Sequence, residues 1–234
     1  MTALAKLTTV EFKLLLREPG SMFAFLIPLF ILIVFGGSIE PGDTLLLPMT
    51  LAIAVGLVGL YLLPTTLAAY RERGILRRLS LTPVRPGSLL AVQLILQLVL
   101  ALAASGLLLA VAGTVLDARL PTGVPAFAAA FLLGTAAMFS VGLLIAALAP
   151  NGRAANGIGV LLYFPMAFLA GLIQPVGQMP DIVAEIGKYT PLGAFRQALQ
   201  DVWAGASPAP LLLAVMAAYA VVVSLAAAKL FRWE

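Results

Sequence analysis

Long apolar stretches separated by short polar loops limit the possible folds of this chain more than any other feature. Six such stretches run roughly over residues 22–39, 45–69, 89–115, 126–148, 155–173 and 210–231. A helix needs about 20 apolar residues to cross the hydrocarbon core of a bilayer, and the first and fifth stretches only just reach that length. Charged residues make up only 10% of the chain, whereas a soluble domain carries about 25%. The sequence therefore predicts an all-α membrane protein with six transmembrane helices, forming a single domain over residues 1–234.

The distribution of lysine and arginine predicts the orientation of these spans. With the N-terminus inside, eleven of the 14 basic residues lie in cytoplasmic segments and three lie outside. Positive residues prefer the cytoplasmic side of a membrane. We therefore expect a multi-pass protein with both termini in the cytoplasm.

A loop between the second and third stretches, residues 70–88, carries the densest charge. It contains five arginines and one acid: Arg71, Arg73, Arg77, Arg78, Arg85 and Glu72. Placing an arginine in lipid costs about 2.5–3.5 kcal/mol, so the loop must lie outside the hydrocarbon core, and the excess of basic residues predicts the cytoplasmic side. Two interpretations stay open. The arginines either dock a cytoplasmic partner, or they only fix topology and contact anionic lipid headgroups.

Two further segments are amphipathic and too short or too polar to span. Residues 1–20 place Leu4, Leu7, Val10 and Leu14 at helical spacing, which predicts a helix lying in the inner interface. The alternative is a short soluble leader.

Residues 174–209 contain two amphipathic turns, each beginning near a proline, Pro180 or Pro191. They predict a short helical hairpin that re-enters the outer leaflet before the last span. The alternative is an ordinary surface loop with two short helices.

Several kinds of chemistry have no basis in this sequence. The chain contains neither histidine nor cysteine, and it lacks a phosphate-binding glycine loop, a metal-ligand cluster and a catalytic serine motif. The predicted spans hold no deep charge of the kind that ion-coupled carriers use. The basic residues lie in loops between apolar stretches, which argues against nucleic acid as a partner. We predict no catalytic residues, no metal site and no cofactor in this chain, so any pumping needs an external energy source.

Seven polar residues lie inside the predicted spans. They are candidates for lining a path for an amphipathic substrate, and the alternative is ordinary hydrogen bonding between helices. The residues are Thr65, Thr66, Gln93, Gln97, Ser140, Asn156 and Tyr163.

Three stretches resemble the membrane subunit of type-2 ATP-binding-cassette exporters, a permease family that includes daunorubicin-type drug exporters and bacterial polysaccharide exporters. The first is Glu11–Pro19 followed by Ile27-Pro28-Leu29, and the second is Arg71–Leu79 followed by Thr82–Arg85. The third is Gln174–Leu199, which contains Met179-Pro180 and Thr190-Pro191-Leu192. A glutamate often stands in the family where this chain has Arg77.

The resemblance implies a permease in the bacterial plasma (inner) membrane that works as a homodimer or with a paralogue. Each copy would dock on a separate ATPase subunit that binds ATP and Mg, with loop 70–88 as the coupling helix and the N-terminal helix bracing it. The residues expected to contact the ATPase are Arg71, Glu72, Arg73, Gly74, Arg77, Arg78, Glu11 and Arg17.

The implied function is ATP-driven export of a hydrophobic or amphipathic, drug-like compound. The permease itself would contact membrane lipid. One alternative is export of lipid or lipid-linked polysaccharide by the same fold. Another is a membrane scaffold that transports nothing.

Overall fold

The structure, a computed structural model, describes residues 19–37, 43–75 and 86–231, and within these ranges it contains helices and loops but no strand. The long helices are α1 (Pro19–Gly36), α2 (Leu46–Glu72), α3 (Pro86–Val115), α4 (Val124–Leu148), α5 (Gly152–Leu169) and α8 (Pro210–Leu230). Two shorter helices, α6 (Asp181–Lys188) and α7 (Pro191–Trp203), follow a 3₁₀ turn at Val176–Gln178. Two of the long helices contain a π-helical turn: Val58–Leu62 in α2 and Tyr219–Val223 in α8.

A helix occupies each of the six predicted apolar stretches. Four of these helices, α2, α3, α4 and α8, are long and apolar enough to cross a membrane. The apolar part of α1 is shorter, Gly20–Gly36, and α5 has 18 residues and is not among the four. The chain is therefore a multi-pass helical membrane protein, while the number six stays a prediction. The predicted interfacial helix lies almost wholly outside the described residues.

The centre of the molecule is α2, which packs against α1, α3, α4, α5 and α7. Its first turns are almost entirely buried, from Leu46 to Gly56. By contrast, α8 packs against α4 and α7, and many of its apolar side chains are exposed. Helices in lipid associate through close van der Waals packing and small residues, and Gly142, Gly152 and Gly159 contact α2 in this way.

The helices run alternately up and down, so their ends gather in two groups. At one end, Arg71 reaches the last carbonyls of α4, and Tyr70 packs with Leu89 beside Phe231. We call this the basic end, because it carries Arg71, Arg73, Arg153 and Lys229. At the opposite end, the indole of Trp203 donates a hydrogen bond of 3.1 Å to the carbonyl of Arg119.

The segment predicted as a hairpin does contain two short helices, and they differ in burial. In α7 the apolar face made by Leu192, Phe195 and Leu199 is buried against the long helices. In α6 the apolar Ile182 is 76% exposed. That exposed apolar face is compatible with lipid contact, but re-entry into the outer leaflet stays a prediction.

A buried arginine lies on α7. Arg196 is only 8% exposed, and its Nη1 donates to Oε1 of Gln200 over 2.9 Å. Burial lowers the pKa of Arg196, and the nearby Asp201 partly opposes this shift. A charge held this way depends on its hydrogen-bond partner, because an unpaired buried charge is costly.

Candidate functional site

An apolar cavity of about 430 Å³ lies between α1, α2 and α5. Its walls are aliphatic and aromatic side chains with one glycine. They include Phe23, Tyr61, Val160, Tyr163 and Phe164. Among the predicted path residues, Tyr163 lines this cavity, while the remaining six do not.

Two glycines allow α5 to lie close enough to α2 to form the cavity. A Cβ at Gly159 would overlap the backbone carbonyl oxygen of Leu60, so the two helices meet there backbone to backbone. A Cβ at Gly56 would lie 2.9 Å from Cε2 of Tyr163, so that glycine leaves space for the ring. Small residues of this kind allow helices to approach closely in membranes.

The polar groups at this cavity are two phenols. Tyr61 and Tyr163 are both half-buried and both line the cavity. The ring of Tyr163 meets that of Phe164 edge-on, with centroids 6.0 Å apart. A cavity with apolar walls and few polar groups suits a hydrophobic guest that carries an acceptor for a phenol.

The basic end holds a second arrangement, built by two consecutive residues of α2. The guanidinium of Arg71 donates to the carbonyl of Ala146 over 3.1 Å and to that of Ala147 over 3.4 Å, and it also donates to the carbonyl of Ala149. Oε2 of Glu72 accepts a hydrogen bond of 3.2 Å from the backbone N–H of Gly152. Both side chains therefore bind the turn between α4 and α5.

The chain leaves α2 directly after these residues. Gly74 has a φ of 67°, a left-handed conformation that glycine adopts at little cost. Arg73 is exposed. Of the predicted ATPase contacts, the structure thus brings Arg71 and Glu72 to an internal turn and leaves Arg73 at the surface. The other arginine and acid candidates, Glu11, Arg17, Arg77 and Arg78, lie outside the described residues.

A polar cavity of about 570 Å³ also opens at the basic end. Thr65 and Thr66 line it together with Arg73, Asn151 and Arg153. The hydroxyl of Thr66 donates back to the carbonyl of Leu62, 2.9 Å away. The two threonines therefore lie together, but away from Tyr163 and the apolar cavity.

The remaining predicted path residues lie elsewhere. Gln93 and Gln97 are buried on α3, and Gln97 has no partner for either amide atom among the described residues. Ser140 lines a third cavity, of about 300 Å³, near α3 and α8. Asn156 is half-buried near the start of α5. The seven residues are therefore distributed over several places, and whether any of them contacts a substrate stays a prediction.

Some residues of these sites had no place in the sequence-based prediction. The predicted substrate-path residues do not include Tyr61, which lies on α2 and lines the same cavity as Tyr163. Asn151 was also not singled out, and its side chain accepts from the N–H of Ala154 over 2.8 Å to cap α5. An asparagine before an apolar run is a recognised start signal for a helix. The pairing of Gly159 with Leu60 has no such local signal.

Comparison with known families places these features in context. The family model described as ABC-2 type transporter matches residues 2–202, which include the lining of the apolar cavity and, at the basic end, Arg71, Arg73 and Arg153. A comparison with curated proteins gives no match. This family consists of membrane transport components that are not themselves catalytic and that imply an ATP-binding-cassette partner. With a match over most of its length and several helices able to span a bilayer, the chain belongs to the ABC-2 type transporter family.

Proposed function

We propose that the chain moves a hydrophobic or amphipathic, drug-like compound out of the cell, powered by a separate ATPase subunit. The observation that carries this proposal is the apolar cavity between α1, α2 and α5. Its volume of about 430 Å³ lies within the range of roughly 300–1,000 Å³ that is common for small-molecule sites.

The walls of the cavity favour one substrate class over the others. A glycan carries many hydroxyl groups, and each would need a polar partner on burial. The apolar cavity offers the two phenols of Tyr61 and Tyr163. A hydrophobic molecule with one or two acceptor groups fits this environment better than a lipid-linked polysaccharide does.

The partners belong to the same proposal. ATP and Mg would bind to the ATPase subunit, which would dock at the basic end and contact the loop that follows Gly74. The exposed apolar side chains of α1, such as Phe30 and Phe35, would face lipid or a second permease copy. We place the protein in the bacterial inner membrane with both termini cytoplasmic.

The test is transport by the complex reconstituted in lipid vesicles with its ATPase subunit. The probe is a hydrophobic fluorescent dye, and the measurement is its ATP-dependent movement across the membrane. Val160→Trp would fill part of the cavity, because Val160 lines it. We expect this variant to transport the dye about tenfold less well, which corresponds to about 1.4 kcal/mol of lost binding.

Leu161→Trp is the matched control, because Leu161 is the next residue of α5, is 72% exposed and lies outside the cavity lining. It should transport the dye as the unmodified chain does. If the unmodified complex hydrolyses ATP but moves no dye, the result favours the alternative of a membrane scaffold that transports nothing. If both tryptophan variants transport normally, the cavity is not the substrate site.

A further inference from the structure

Two consecutive residues at the end of α2 hold together the turn that joins α4 to α5. Arg71 donates to carbonyls of Ala146, Ala147 and Ala149 at the end of α4. Glu72 accepts from the first N–H of α5, at Gly152. We call these two side chains and the backbone groups that they bind the clasp.

The charges of the clasp match the helix ends that they contact. The last carbonyls of a helix lack intrahelical partners and carry partial negative charge, while the first N–H groups carry partial positive charge. The cation Arg71 binds the end of α4, and the anion Glu72 binds the start of α5. A planar guanidinium has five donors and can serve several carbonyls at once, which a lysine cannot do in the same geometry.

Close packing supports the same contact. A Cβ at Gly152 would lie 3.1 Å from Cβ of Ala69 and 3.3 Å from the carbonyl oxygen of Thr65. The start of α5 therefore rests directly on the last turns of α2. The clasp adds charge-assisted hydrogen bonds, which are stronger than neutral ones, to this backbone contact.

We infer that Arg71 and Glu72 are positioning residues that transmit movement of the basic loop to α5, rather than residues that bind the ATPase. The loop leaves α2 at Gly74, directly after the clasp. The other end of the transmission is the apolar cavity, since α5 carries Val160 and Tyr163. A push on the loop would thus move a wall of the cavity through a continuous chain of bonded elements. This inference rests on the proposed function, because it explains how ATP hydrolysis would reach the substrate.

The first experiment measures the amount of dye moved per ATP hydrolysed by the reconstituted complex. In Arg71→Ala, the ATPase subunit should still co-purify and hydrolyse ATP. The dye moved per ATP should fall by roughly tenfold, within the usual range for a coupling free energy between two sites. Arg119→Ala is the control, because Arg119 is an exposed arginine at the opposite end, away from the clasp and from the proposed docking surface. It should leave the ratio unchanged.

A disulfide provides the rescue that separates positioning from loss of fold. The Cβ separation of 3.1 Å at Ala69 and Gly152 needs only a small shift to reach the usual disulfide value of about 3.8 Å. The chain has no cysteine of its own, so Ala69→Cys with Gly152→Cys gives one defined pair in this chain. Added to Arg71→Ala, the oxidised pair should restore dye movement per ATP, and reduction should remove it again.

A third measurement does not depend on transport. In the otherwise unchanged complex, the labelling rate of Val160→Cys should change when ATP is added, and with Arg71→Ala it should not. Loss of the ATPase subunit from a folded Arg71→Ala variant would overturn the inference, because Arg71 would then be a contact residue. An unchanged transport ratio, or no recovery with the oxidised pair, would overturn it as well. If the unmodified complex shows the ATP-dependent labelling change but moves no dye, the proposed function is wrong. The inference that the clasp transmits movement to α5 is then still supported.

Discussion

Two helices of this protein contain a π-helical turn, and they occupy opposite kinds of position. In α2 the turn is Val58–Leu62, at the centre of the bundle, where four of its five residues are buried. In α8 the turn is Tyr219–Val223, at the edge, where none of its residues is buried. π-Helical turns are rare and usually have an identifiable cause. The causes here are different.

The turn in α2 follows from a residue of its own helix. Pro64 lacks the N–H that would bond the carbonyl of Leu60, and its ring would clash with that carbonyl in a regular α-helix. Widening the turn avoids the clash, and the N–H of Leu63 donates to the carbonyl of Val58 instead. The helix then continues to Glu72 and brings Arg71 to the clasp.

The turn in α8 follows from a neighbouring helix. The hydroxyl of Ser140 on α4 lies 3.0 Å from the carbonyl of Tyr219, the first residue of the turn. It also lies 2.7 Å from the carbonyl of Ala137, and its single proton can serve one of the two at a time. A side chain that inserts into the ladder of backbone hydrogen bonds is a known cause of local helix distortion.

The comparison between the central helix α2 and the edge helix α8 can be tested by mutation. We expect the largest change in the free energy of unfolding at the glycines that contact α2. A Cβ at Gly142 would overlap the carbonyl oxygen of Gly59, and one at Gly159 would overlap that of Leu60. These are backbone atoms, so no rotamer change can relieve the clash. We expect Gly142→Ala and Gly159→Ala each to lower the free energy of unfolding in detergent by about 3 kcal/mol or more.

Gly157→Ala is the matched control for Gly159→Ala. Gly157 lies on the same helix, and a Cβ there would have nothing within 4 Å. Alanine is the better helix former, so this variant should be neutral or more stable by up to about 1 kcal/mol. If Gly142→Ala and Gly159→Ala were as harmless as this control, the close backbone contacts around α2 would be wrong.

The causes of the two π-turns also show what could be predicted from the sequence. The apolar stretches predict the positions of the long helices to within a few residues, and a proline inside such a stretch, such as Pro64, is a known source of helix distortion. Ser140 and Tyr219 are far apart in the chain, and their contact depends on how α4 and α8 pack, which no local pattern encodes. The same holds for the clasp. The Arg71-Glu72 pair was visible as charge, but its partners at residues 146–152 became identifiable only from the fold.

The next largest change in the free energy of unfolding is expected at a buried polar side chain of α3. Gln97 is fully buried, and neither amide atom has a partner among the described residues. An unpaired buried amide costs about 1–3 kcal/mol in protein mutational data. Gln97→Met, with a side chain of similar length, should therefore raise the free energy of unfolding by about that amount.

A glutamine with a partner should respond in the opposite direction. Oε1 of Gln200 accepts from the buried Arg196, so Gln200→Met removes an acceptor from a charged group and should lower the free energy of unfolding. Both variants can be measured by the same denaturant titration in detergent. A loss of stability in Gln97→Met would show that its amide does have a partner in the folded protein.

The smallest change in the free energy of unfolding is expected at the contact between Ser140 and the edge helix α8. Ser140→Ala removes the hydroxyl that meets Tyr219, and hydrogen bonds between membrane helices contribute on average about 0.6 kcal/mol. We expect a loss of that size in the free energy of unfolding. Ser105→Ala is the control, because the buried hydroxyl of Ser105 has no partner among the described residues. That variant should be neutral or slightly more stable, since it removes an unpaired polar group.

The shape of α8 gives a second readout for Ser140→Ala. If the hydroxyl holds the π-turn open, its removal should let the turn close to a regular α-helix and rotate the residues that follow. Leu225 is 59% exposed, so the labelling rate of Leu225→Cys by a lipid-soluble reagent should change with Ser140→Ala and not with Ser105→Ala. An unchanged rate would mean that α8 keeps its π-turn without Ser140. The difference between the two helices would then lie in their burial and not in the cause of the turn.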